Sequence, residues 1–263
     1  MSSHLPIGIF DSGVGGLSVL KAIRQRLPTE DLLYVADSAN APYGGKLPEA
    51  ILERALAIGS FLQHEGCKAV VVACNTATAI AVDALRQQLT VPIVAMEPAL
   101  KPAAARTRTG VVGVLATSGT LASPRYATLR TRHGGGIRVV ERICPRWVEL
   151  VERGELDTPE VRETVAADLA AVRSEGADVL VLGCTHFPFL VPLVETLLGQ
   201  EAAVIDPSPA VAAQVARQLE QRGQLATHAI GRVRLLSTEP SLVSAKAVAR
   251  MLDTDAPWER LAL

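Results

Sequence analysis

The feature that most constrains the fold is the alternation, along the whole chain, of short aliphatic runs with longer stretches of helical periodicity. The runs are mostly continuous rather than alternating, which is typical of parallel strands covered by helices on both faces. They occupy residues 7–10, 32–35, 69–73, 93–95, 111–115, 137–140, 179–182 and 202–205. Between them, apolar residues recur at helical spacing in stretches such as 48–65, 76–88, 158–175 and 188–199. This order predicts a parallel α/β architecture.

The chain also contains an internal sequence similarity, called the echo below. Three pairs of segments match, in one order: 8–13 with 113–119, 71–76 with 181–186, and 95–98 with 204–207. The aligned serines, cysteines and acidic residues of these pairs are 106, 110 and 109 positions apart. We interpret the echo as two related halves. After residue 210 we expect one helix, a strand at Val233–Leu236 and a last helix near 239–252.

Charge and composition exclude several classes of function. Lys and Arg number 26 against 27 Asp and Glu, so the net charge is −1, and aromatic residues make up 3%. A chain without basic excess or stacking platforms is poorly suited to bind nucleic acid. No apolar run approaches the roughly 20 residues of a membrane helix, and no signal peptide is visible at the start. We therefore expect a cytoplasmic protein that contacts neither nucleic acid nor membrane directly.

The four cysteines are scattered at positions 67, 74, 144 and 184. They form neither a Cys-x-x-Cys pair nor a Cys/His cluster at zinc spacing, so we expect no metal site. Scattered cysteines in a chain of this length indicate free thiols in a reducing compartment. Cys67 and Cys144 lack any partner motif, and we interpret both as structural.

Polar residues gather where the predicted strands end, which is where parallel sheets bind ligands. These ends are at 11–12, 37–38, 74–76, 117–118 and 184–186. If the two halves face each other, both sets of strand ends meet at one cleft. Cys74 and Cys184 would then approach a bound molecule from opposite sides.

Cys74 and Cys184 each follow a strand pattern and precede small polar residues that open a helix. A helix N-terminus stabilises a thiolate, so we expect pKa values below the usual value of about 8.5. Such a thiol can act as a nucleophile, a redox centre or a general base; the alternative is an inert buried side chain. A redox pair usually needs adjacent sulfurs, whereas thiols on opposite sides of a ligand suit inversion of a stereocentre.

Asp11 and His186 lie beside these thiols in sequence and could relay a proton. Alternatively, Asp11 is a helix N-cap and His186 a structural histidine. The run Gly13–Gly16 matches no phosphate-binding motif. Hydrogen bonds to a small polar ligand, or helix caps, are expected from Ser12, Asn75, Thr76, Thr185 and the segment 42–44. No lysine resembles a pyridoxal Schiff-base site, so we expect no cofactor.

Four motifs together closely resemble the glutamate racemases of the aspartate/glutamate racemase superfamily. They are Asp11-Ser-Gly-Val-Gly-Gly-Leu17, Pro42-Tyr-Gly44, Ala73-Cys-Asn-Thr-Ala77 and Leu182-Gly-Cys-Thr-His186. The resemblance covers residues 7 to about 210. It implies cofactor-independent interconversion of L- and D-glutamate, which supplies D-glutamate for bacterial peptidoglycan. It also implies a homodimer.

The resemblance further implies two similar α/β domains related by a pseudo-twofold axis, with the active site between them. The first would comprise residues 1–97 plus 208–263, and the second residues 98–207. Cys74 resembles the base that acts on D-glutamate, assisted by Asp11. Cys184 resembles the base for L-glutamate, assisted by His186, and Glu152 resembles an acidic auxiliary residue. The substrate-contacting set would be Asp11, Ser12, Tyr43, Gly44, Asn75, Thr76, Thr185 and His186.

The chain departs from the family pattern at a few positions. Phe187 stands where Tyr is common, and Arg146-Trp147 replaces the usual aliphatic–aromatic pair. Leu47-Pro48 follows Gly-Gly-Lys where a Ser is common. The Arg146 region bears on how substrate is enclosed. Other readings remain open: a racemase of aspartate or a hydantoin, a related isomerase or decarboxylase, or a regulatory protein that restrains DNA gyrase.

Overall fold

A computed structural model describes residues 4–227, 229–243, 248, 249, 251, 252 and 256–263. Within this part of the chain the strands form two sheets, and every strand pair is parallel. The strands are β1 (Ile7–Asp11), β2 (Leu32–Ala36), β3 (Ala69–Val72), β4 (Ile93–Ala95), β5 (Val111–Ala116), β6 (Arg138–Ile143), β7 (Val179–Gly183), β8 (Ala203–Ile205), β9 (Val233–Ser237) and β10 (Trp258–Arg260).

The two sheets share a strand order. The first sheet runs β10-β9-β2-β1-β3-β4, and the second runs β6-β5-β7-β8. In each, the first four strands of that half of the chain are arranged second, first, third, fourth, as expected if the sequence echo reflects a repeat. The predicted class, two parallel-sheet α/β domains, is confirmed. The first sheet takes two further strands from the C-terminal region.

The helices begin where local sequence favours them. They are α1 (Leu17–Arg26), α2 (Pro48–His64), α3 (Asn75–Gln88), α4 (Leu100–Arg106), α5 (Ser118–Leu121), α6 (Pro124–His133), α7 (Pro145–Glu152), α8 (Pro159–Ser174), α9 (Val191–Leu198) and α10 (Ser208–Gln221). Proline occupies the first position of α2, α6, α7 and α8, where its missing N–H costs nothing. The Ser123 and Thr158 hydroxyls cap α6 and α8.

Helices cover both faces of both sheets, so the strands are buried aliphatic runs. One continuous core joins α1 and α10 on the first sheet to α7, α8 and α9 on the second. A second core lies between the first sheet and helices α2 and α3. A third lies between the second sheet and helices α4 and α6. Because the first core spans both sheets, the two strand-end regions are held in a fixed relation.

After β7, the predicted and observed elements agree in part. The strand predicted at 233–236 is β9, but β10 was not predicted, because three residues give too little pattern. The last helix predicted near 239–252 falls partly outside the described residues, which omit 244–247 and 250. Within the rest of that span the structure has a 3-10 helix at Pro240–Leu242 and helical residues at 248, 249 and 251. The helix predicted over 188–199 divides into a 3-10 helix, Phe187–Leu190, followed by α9.

Strand register fixes where the functional side chains lie. Asp11, the last residue of β1, pairs with Ala36 at the end of β2. In the second sheet Ala116 pairs with Gly183, and Cys184 follows directly. The polar strand ends therefore line up at one edge of each sheet. The described part of the chain contains no helix that combines the length and apolar character needed to cross a membrane.

Candidate active site

One cavity of about 240 Å³ lies between the strand ends of the two sheets. Both Cys74, which follows β3, and Cys184, which follows β7, lie in its wall. The other lining residues are Ser12, Pro42, Tyr43, Gly44, Gly45, Asn75, Thr76, Thr117, Ser118, Thr120, Pro145, Val148, Glu149, Gly183, Thr185 and His186. The structure thus brings the two predicted thiols to one cavity from different sheets.

Cys74 is the N-cap of α3. Its sulfur accepts a hydrogen bond from the Ala77 N–H at 3.4 Å and lies 4.0 Å from the Ser12 hydroxyl oxygen. Only 6% of the residue is exposed. Burial, and then the negative charge of Asp11, raise the pKa of this thiol well above its usual value. The prediction of a lowered pKa is therefore wrong for Cys74, because these two effects outweigh the helix N-terminus.

Asp11 is fully buried and organises the loop after β1. Its carboxylate accepts hydrogen bonds from the Ser12 N–H at 2.7 Å, the Gly16 N–H at 2.6 Å and the Thr185 hydroxyl at 3.2 Å. Burial raises its pKa, although the charge of His186 acts in the opposite direction. Since α1 begins only at Leu17 with Gly16 as its N-cap, Asp11 does not cap a helix.

Cys184 has a different neighbourhood. Its sulfur lies 3.5 Å from Nδ1 of His186, and Nε2 of the same ring lies 2.7 Å from Oε1 of Glu152. Burial lowers the pKa of His186. The Cys184 sulfur and the Glu152 carboxylate together raise it by more than burial lowers it, so the pKa lies well above its usual value. Cys184, His186 and Glu152 therefore form a hydrogen-bonded relay, in which the imidazole lies between the sulfur and the carboxylate.

The helix expected directly after Cys184 is shorter than predicted. A four-residue 3-10 helix begins at Phe187, and α9 begins only at Val191. The two cysteines are thus equivalent in the repeat but not in helix geometry. Phe187 itself is buried and packs edge-on against Trp147, with ring centroids 4.9 Å apart.

The glycine run after Asp11 allows the second half of the chain to approach closely. A Cβ atom on Gly13 would lie 2.1 Å from Oε1 of Glu152, and one on Gly15 would lie 2.4 Å from Nδ1 of His186. A side chain at either position would displace the relay beside Cys184. These glycines accommodate the side chains of Glu152 and His186 from the other half of the chain.

The segment 42–45 forms another wall of the cavity. The Tyr43 hydroxyl donates a hydrogen bond of 2.6 Å to Asp37, which also binds both Nε and Nη2 of Arg54. These bonds more than offset burial, so the pKa of Asp37 is lowered. The Gly44 carbonyl accepts a bond from the Ser118 hydroxyl at 3.0 Å. This wall is therefore tied to the second sheet.

Within the described part of the chain, Asn75 presents a buried amide without hydrogen-bond partners to the cavity. The residue is 4% exposed and lines the cavity, yet neither polar atom of its amide has a hydrogen-bond partner among the described residues. Buried polar groups are nearly always satisfied. A bound polar molecule would complete these bonds. Thr76 adds a hydroxyl, bonded to Thr117 at 3.0 Å.

The structure places every predicted site residue in or directly beside this cavity, but sequence reasoning overlooked part of the lining. Thr120, Val148 and Glu149 were not predicted, and Thr117 and Ser118 were noted only as a strand end. The echo offered a signal, since Ser118 aligns with Ser12. Arg146 does not line the cavity; it pairs with Glu160 on the surface.

The other two cysteines lie away from the cavity lining. Cys67 is buried against the Gly8 backbone, and burial raises its pKa to about 12. Burial likewise raises the pKa of Cys144, which is fully buried in the core joining the sheets. Among the described residues, no three His, Cys, Asp or Glu side chains are grouped so as to hold a metal ion.

Comparison with known proteins identifies the family. Residues 7–215 match the Asp/Glu/Hydantoin racemase family. A glutamate racemase from Pseudomonas aeruginosa is 54% identical over 222 residues, which is 84% of each chain. A crystal structure of a glutamate racemase isoform from Bacillus anthracis superposes with a TM-score of 0.90 at 31% identity, covering 99% of this chain and 98% of that one.

A second solved structure carries a ligand. The glutamate racemase from Francisella tularensis, in complex with D-glutamate, superposes with a TM-score of 0.86 at 28% identity and covers 99% of this chain and 98% of its own. Identity, coverage and architecture agree. The chain therefore belongs to the Asp/Glu/Hydantoin racemase family and, within it, to the glutamate racemases.

Proposed function

We propose that this protein interconverts L- and D-glutamate without a cofactor, using Cys74 and Cys184 as a pair of acid–base groups. One observation carries the proposal: thiols from two different sheets line the same cavity, each beside its own titratable partner. Inversion at Cα requires a proton to leave one face and arrive at the other. A single thiol could not serve both faces of a held substrate.

The cavity is suited to a small polar substrate held by neutral donors. Its lining contains neither lysine nor arginine, counted over the residues that the structure describes. The substrate carboxylates would therefore be bound by hydroxyl, amide and backbone N–H groups, as at helix N-termini. The unpartnered amide of Asn75 supports this assignment, with the hydroxyls of Ser12, Thr76 and Thr185 beside it. The D-glutamate bound to the Francisella protein supports the choice of substrate.

The reaction needs one thiolate and one thiol at the start. In the L-to-D direction the Cys184 thiolate removes the Cα proton, leaving a carbanion that the adjacent carboxylate stabilises, and the Cys74 thiol donates its proton to the opposite face. The next turnover requires that the proton on Cys184 return to Cys74 by way of solvent, or that D-glutamate react in reverse. His186 and Asp11 assist their neighbouring thiols, and Glu152 holds His186.

The assignment of Cys184 to L-glutamate, and of Cys74 to D-glutamate, is the one that the family resemblance implies. The two sulfurs have different neighbours. Burial and then the charge of Asp11 raise the pKa of the Cys74 thiol, whereas the other sulfur lies 3.5 Å from Nδ1 of His186.

The purified protein should racemise glutamate after extensive dialysis, with and without EDTA. Loss of optical rotation from either enantiomer, followed by circular dichroism, measures the reaction. Aspartate and a hydantoin are the matched alternatives within the family, and they should turn over far more slowly. Activity that disappears with EDTA, or faster turnover of either alternative, would contradict the proposal. No racemisation together with inhibition of DNA supercoiling by gyrase would favour the regulatory alternative.

Two further proposals concern organisation and physiology. We assign residues 1–97 and 208–263 to one domain and 98–207 to the other, because all strands of each sheet fall within these limits and α10 packs on α1.

We also assign to the protein the supply of D-glutamate for peptidoglycan in the bacterial cytoplasm. The chain should restore growth of a D-glutamate-requiring bacterial strain, and a Cys74→Ser variant should not.

A further inference from the structure

The peptide unit between Gly13 and Val14 is held from both ends. Its carbonyl oxygen accepts a hydrogen bond of 2.6 Å from the hydroxyl of Tyr34. Its N–H, contributed by Val14, donates a bond of 3.0 Å to Oε1 of Glu152. A single peptide group therefore connects a tyrosine of β2 in the first sheet to a carboxylate at the end of α7 in the other half of the molecule.

The same carboxylate oxygen continues the connection. Oε1 of Glu152 contacts Nε2 of His186 at 2.7 Å, and Nδ1 of that ring contacts the Cys184 sulfur at 3.5 Å. The hydrogen-bonded chain thus runs from the Tyr34 hydroxyl, through one peptide, to the sulfur. Successive hydrogen bonds polarise one another, so a donor at the far end strengthens the bond that holds Glu152.

We infer that Tyr34 is a positioning residue for the Cys184 side of the site, acting through the Gly13–Val14 peptide on Glu152. This inference rests on the proposed function, because it assigns Tyr34 to one of its two acid–base groups. Tyr34 is not among the residues that line the cavity, so it does not touch the substrate. It is a support for the relay and not a member of the reacting set.

The surroundings of Tyr34 fit this role. The residue is fully buried, and its ring lies edge-on to Trp258 of β10, with centroids 6.1 Å apart. A Cβ atom on Gly16 would lie 2.8 Å from the Tyr34 hydroxyl oxygen, so the loop closes tightly over the hydroxyl. Packing therefore fixes the ring, and the hydroxyl fixes the peptide.

Glu152 needs such a support. Its side chain is 25% exposed, whereas His186 is buried. A partly exposed carboxylate can turn towards water when a bond to it weakens, and His186 then loses its partner. The hydrogen bonds from Tyr34 to the Gly13–Val14 peptide, and from that peptide to Glu152, oppose this movement.

The test is the variant Tyr34→Phe, which retains the ring and removes the hydroxyl. We expect kcat for glutamate racemisation to fall about tenfold, with KM nearly unchanged. A loss of this size corresponds to one hydrogen bond, here the bond from Tyr34 to the peptide that holds the Glu152 carboxylate. The matched control is Tyr126→Phe, which removes another buried hydroxyl, bonded to Glu141 away from the cavity. The control should change kcat less than twofold.

A double-mutant cycle with Glu152→Gln tests the route. If Tyr34 acts through Glu152, adding Tyr34→Phe to Glu152→Gln should lower kcat less than twofold further. The same tenfold loss in both backgrounds would overturn the inference. So would a loss no larger than that of Tyr126→Phe, or a loss expressed in KM alone.

A measurement without substrate separates this inference from the proposed function. Iodoacetamide alkylates thiolates, and mass spectrometry of peptides reports the rate at Cys184. The rate should fall in Tyr34→Phe, remain unchanged in Tyr126→Phe, and fall no further when Tyr34→Phe is added to Glu152→Gln. An unchanged rate at Cys184 in Tyr34→Phe would overturn the inference even if the protein racemises glutamate, and the expected pattern would support it even if another substrate were found.

Discussion

The two thiols of the cavity occupy equivalent places in two similar sheets, yet their partners differ in charge. Cys74 lies beside the buried carboxyl group of Asp11, and its pKa is raised. Cys184 lies beside the imidazole of His186, whose pKa is also raised and which is held by Glu152. An acidic partner disfavours a thiolate, whereas a protonated imidazole favours one. The repeat thus provides two similar positions for a thiol, with a carboxyl group beside one and an imidazole beside the other.

This difference indicates how a symmetric reaction can start from an asymmetric protein. The proposed mechanism requires one thiol and one thiolate at the start of each turnover, and two unequal environments suit that requirement better than two identical ones. The predictions below test this contrast, in order of decreasing effect.

Replacing either thiol should abolish the two-sided reaction. A serine hydroxyl in Cys74→Ser or Cys184→Ser keeps the shape but is a poor base at neutral pH, so racemisation should fall by about 10³-fold or more in both directions. With threo-3-chloroglutamate, removal of the Cα proton expels chloride and needs no second group. Each variant should therefore eliminate chloride from one enantiomer only, with opposite preferences.

Cys67→Ser is the matched control, because it changes a buried thiol outside the cavity. It should racemise glutamate at nearly the normal rate. Chloride release, measured for each enantiomer with all three variants, decides the outcome. If both cavity variants prefer the same enantiomer, the assignment of one thiol to each face is wrong.

A substitution that acts on the Cys184 side alone should have a smaller effect. In Gly13→Ala the new methyl group would meet Oε1 of Glu152 at 2.1 Å and displace that flexible side chain from His186. A displacement of about 1 Å in a catalytic group can cost about 10²-fold in rate. We expect a loss of that size in kcat, with chloride elimination served by Cys184 affected far more than elimination served by Cys74.

Gly135→Ala provides the comparison for this substitution. A Cβ atom at Gly135 would meet nothing within 4 Å, so the added methyl group is tolerated. The thermal unfolding midpoint of both variants should be recorded beside their kcat values. If Gly13→Ala lowers the chloride elimination served by Cys74 as much as that served by Cys184, the close approach of Gly13 to Glu152 supports the whole site and not one thiol.

The pH profile should show the smallest change. Cys74 must be protonated for the L-to-D direction, and its raised pKa places the alkaline limb of kcat/KM above the usual thiol value of about 8.5. Asp11→Asn removes the negative charge that, together with burial, raises the pKa of Cys74. The alkaline limb of kcat/KM should therefore move to lower pH, while burial keeps it above the usual thiol pKa. The limbs belong to the coupled groups together.

One direction is sufficient for this measurement, because the two enantiomers have equal free energies in water and kcat/KM must agree in both. Rates between pH 6 and 10, roughly spanning both limbs of thiol titration, should be compared for the natural protein and Asp11→Asn. If the alkaline limb of kcat/KM lies at the same pH in Asp11→Asn as in the natural protein, Asp11 does not set the protonation of Cys74.

The sequence predicted the fold class and both thiols because each depends on local pattern. Continuous aliphatic strands, each ending in small polar residues, indicate a parallel sheet with ligands at the strand ends. The echo then linked Cys74 to Cys184 although they are distant in the chain. The resemblance to known racemases added Glu152, which by pattern alone is an ordinary helix-surface charge.

What the sequence could not provide depends on three-dimensional neighbours. Nothing near Cys74 in sequence shows that Asp11 and burial would raise its pKa. Likewise, the need for glycine at positions 13 and 15 becomes visible only when Glu152 and His186 are in place. Tyr34 lies in a strand pattern in which any large apolar side chain would have been expected.

The way the first sheet is completed has a consequence for synthesis on the ribosome. Its strand β2 acquires its outer neighbour only from residues 233–237, and β10 follows at 258–260. All strands of the second sheet, by contrast, lie between residues 111 and 205 and emerge earlier. The Cys184 half can therefore assemble as a nascent unit, whereas the Cys74 half keeps an open sheet edge, a site of unwanted association, until residues 233–260 have been synthesised.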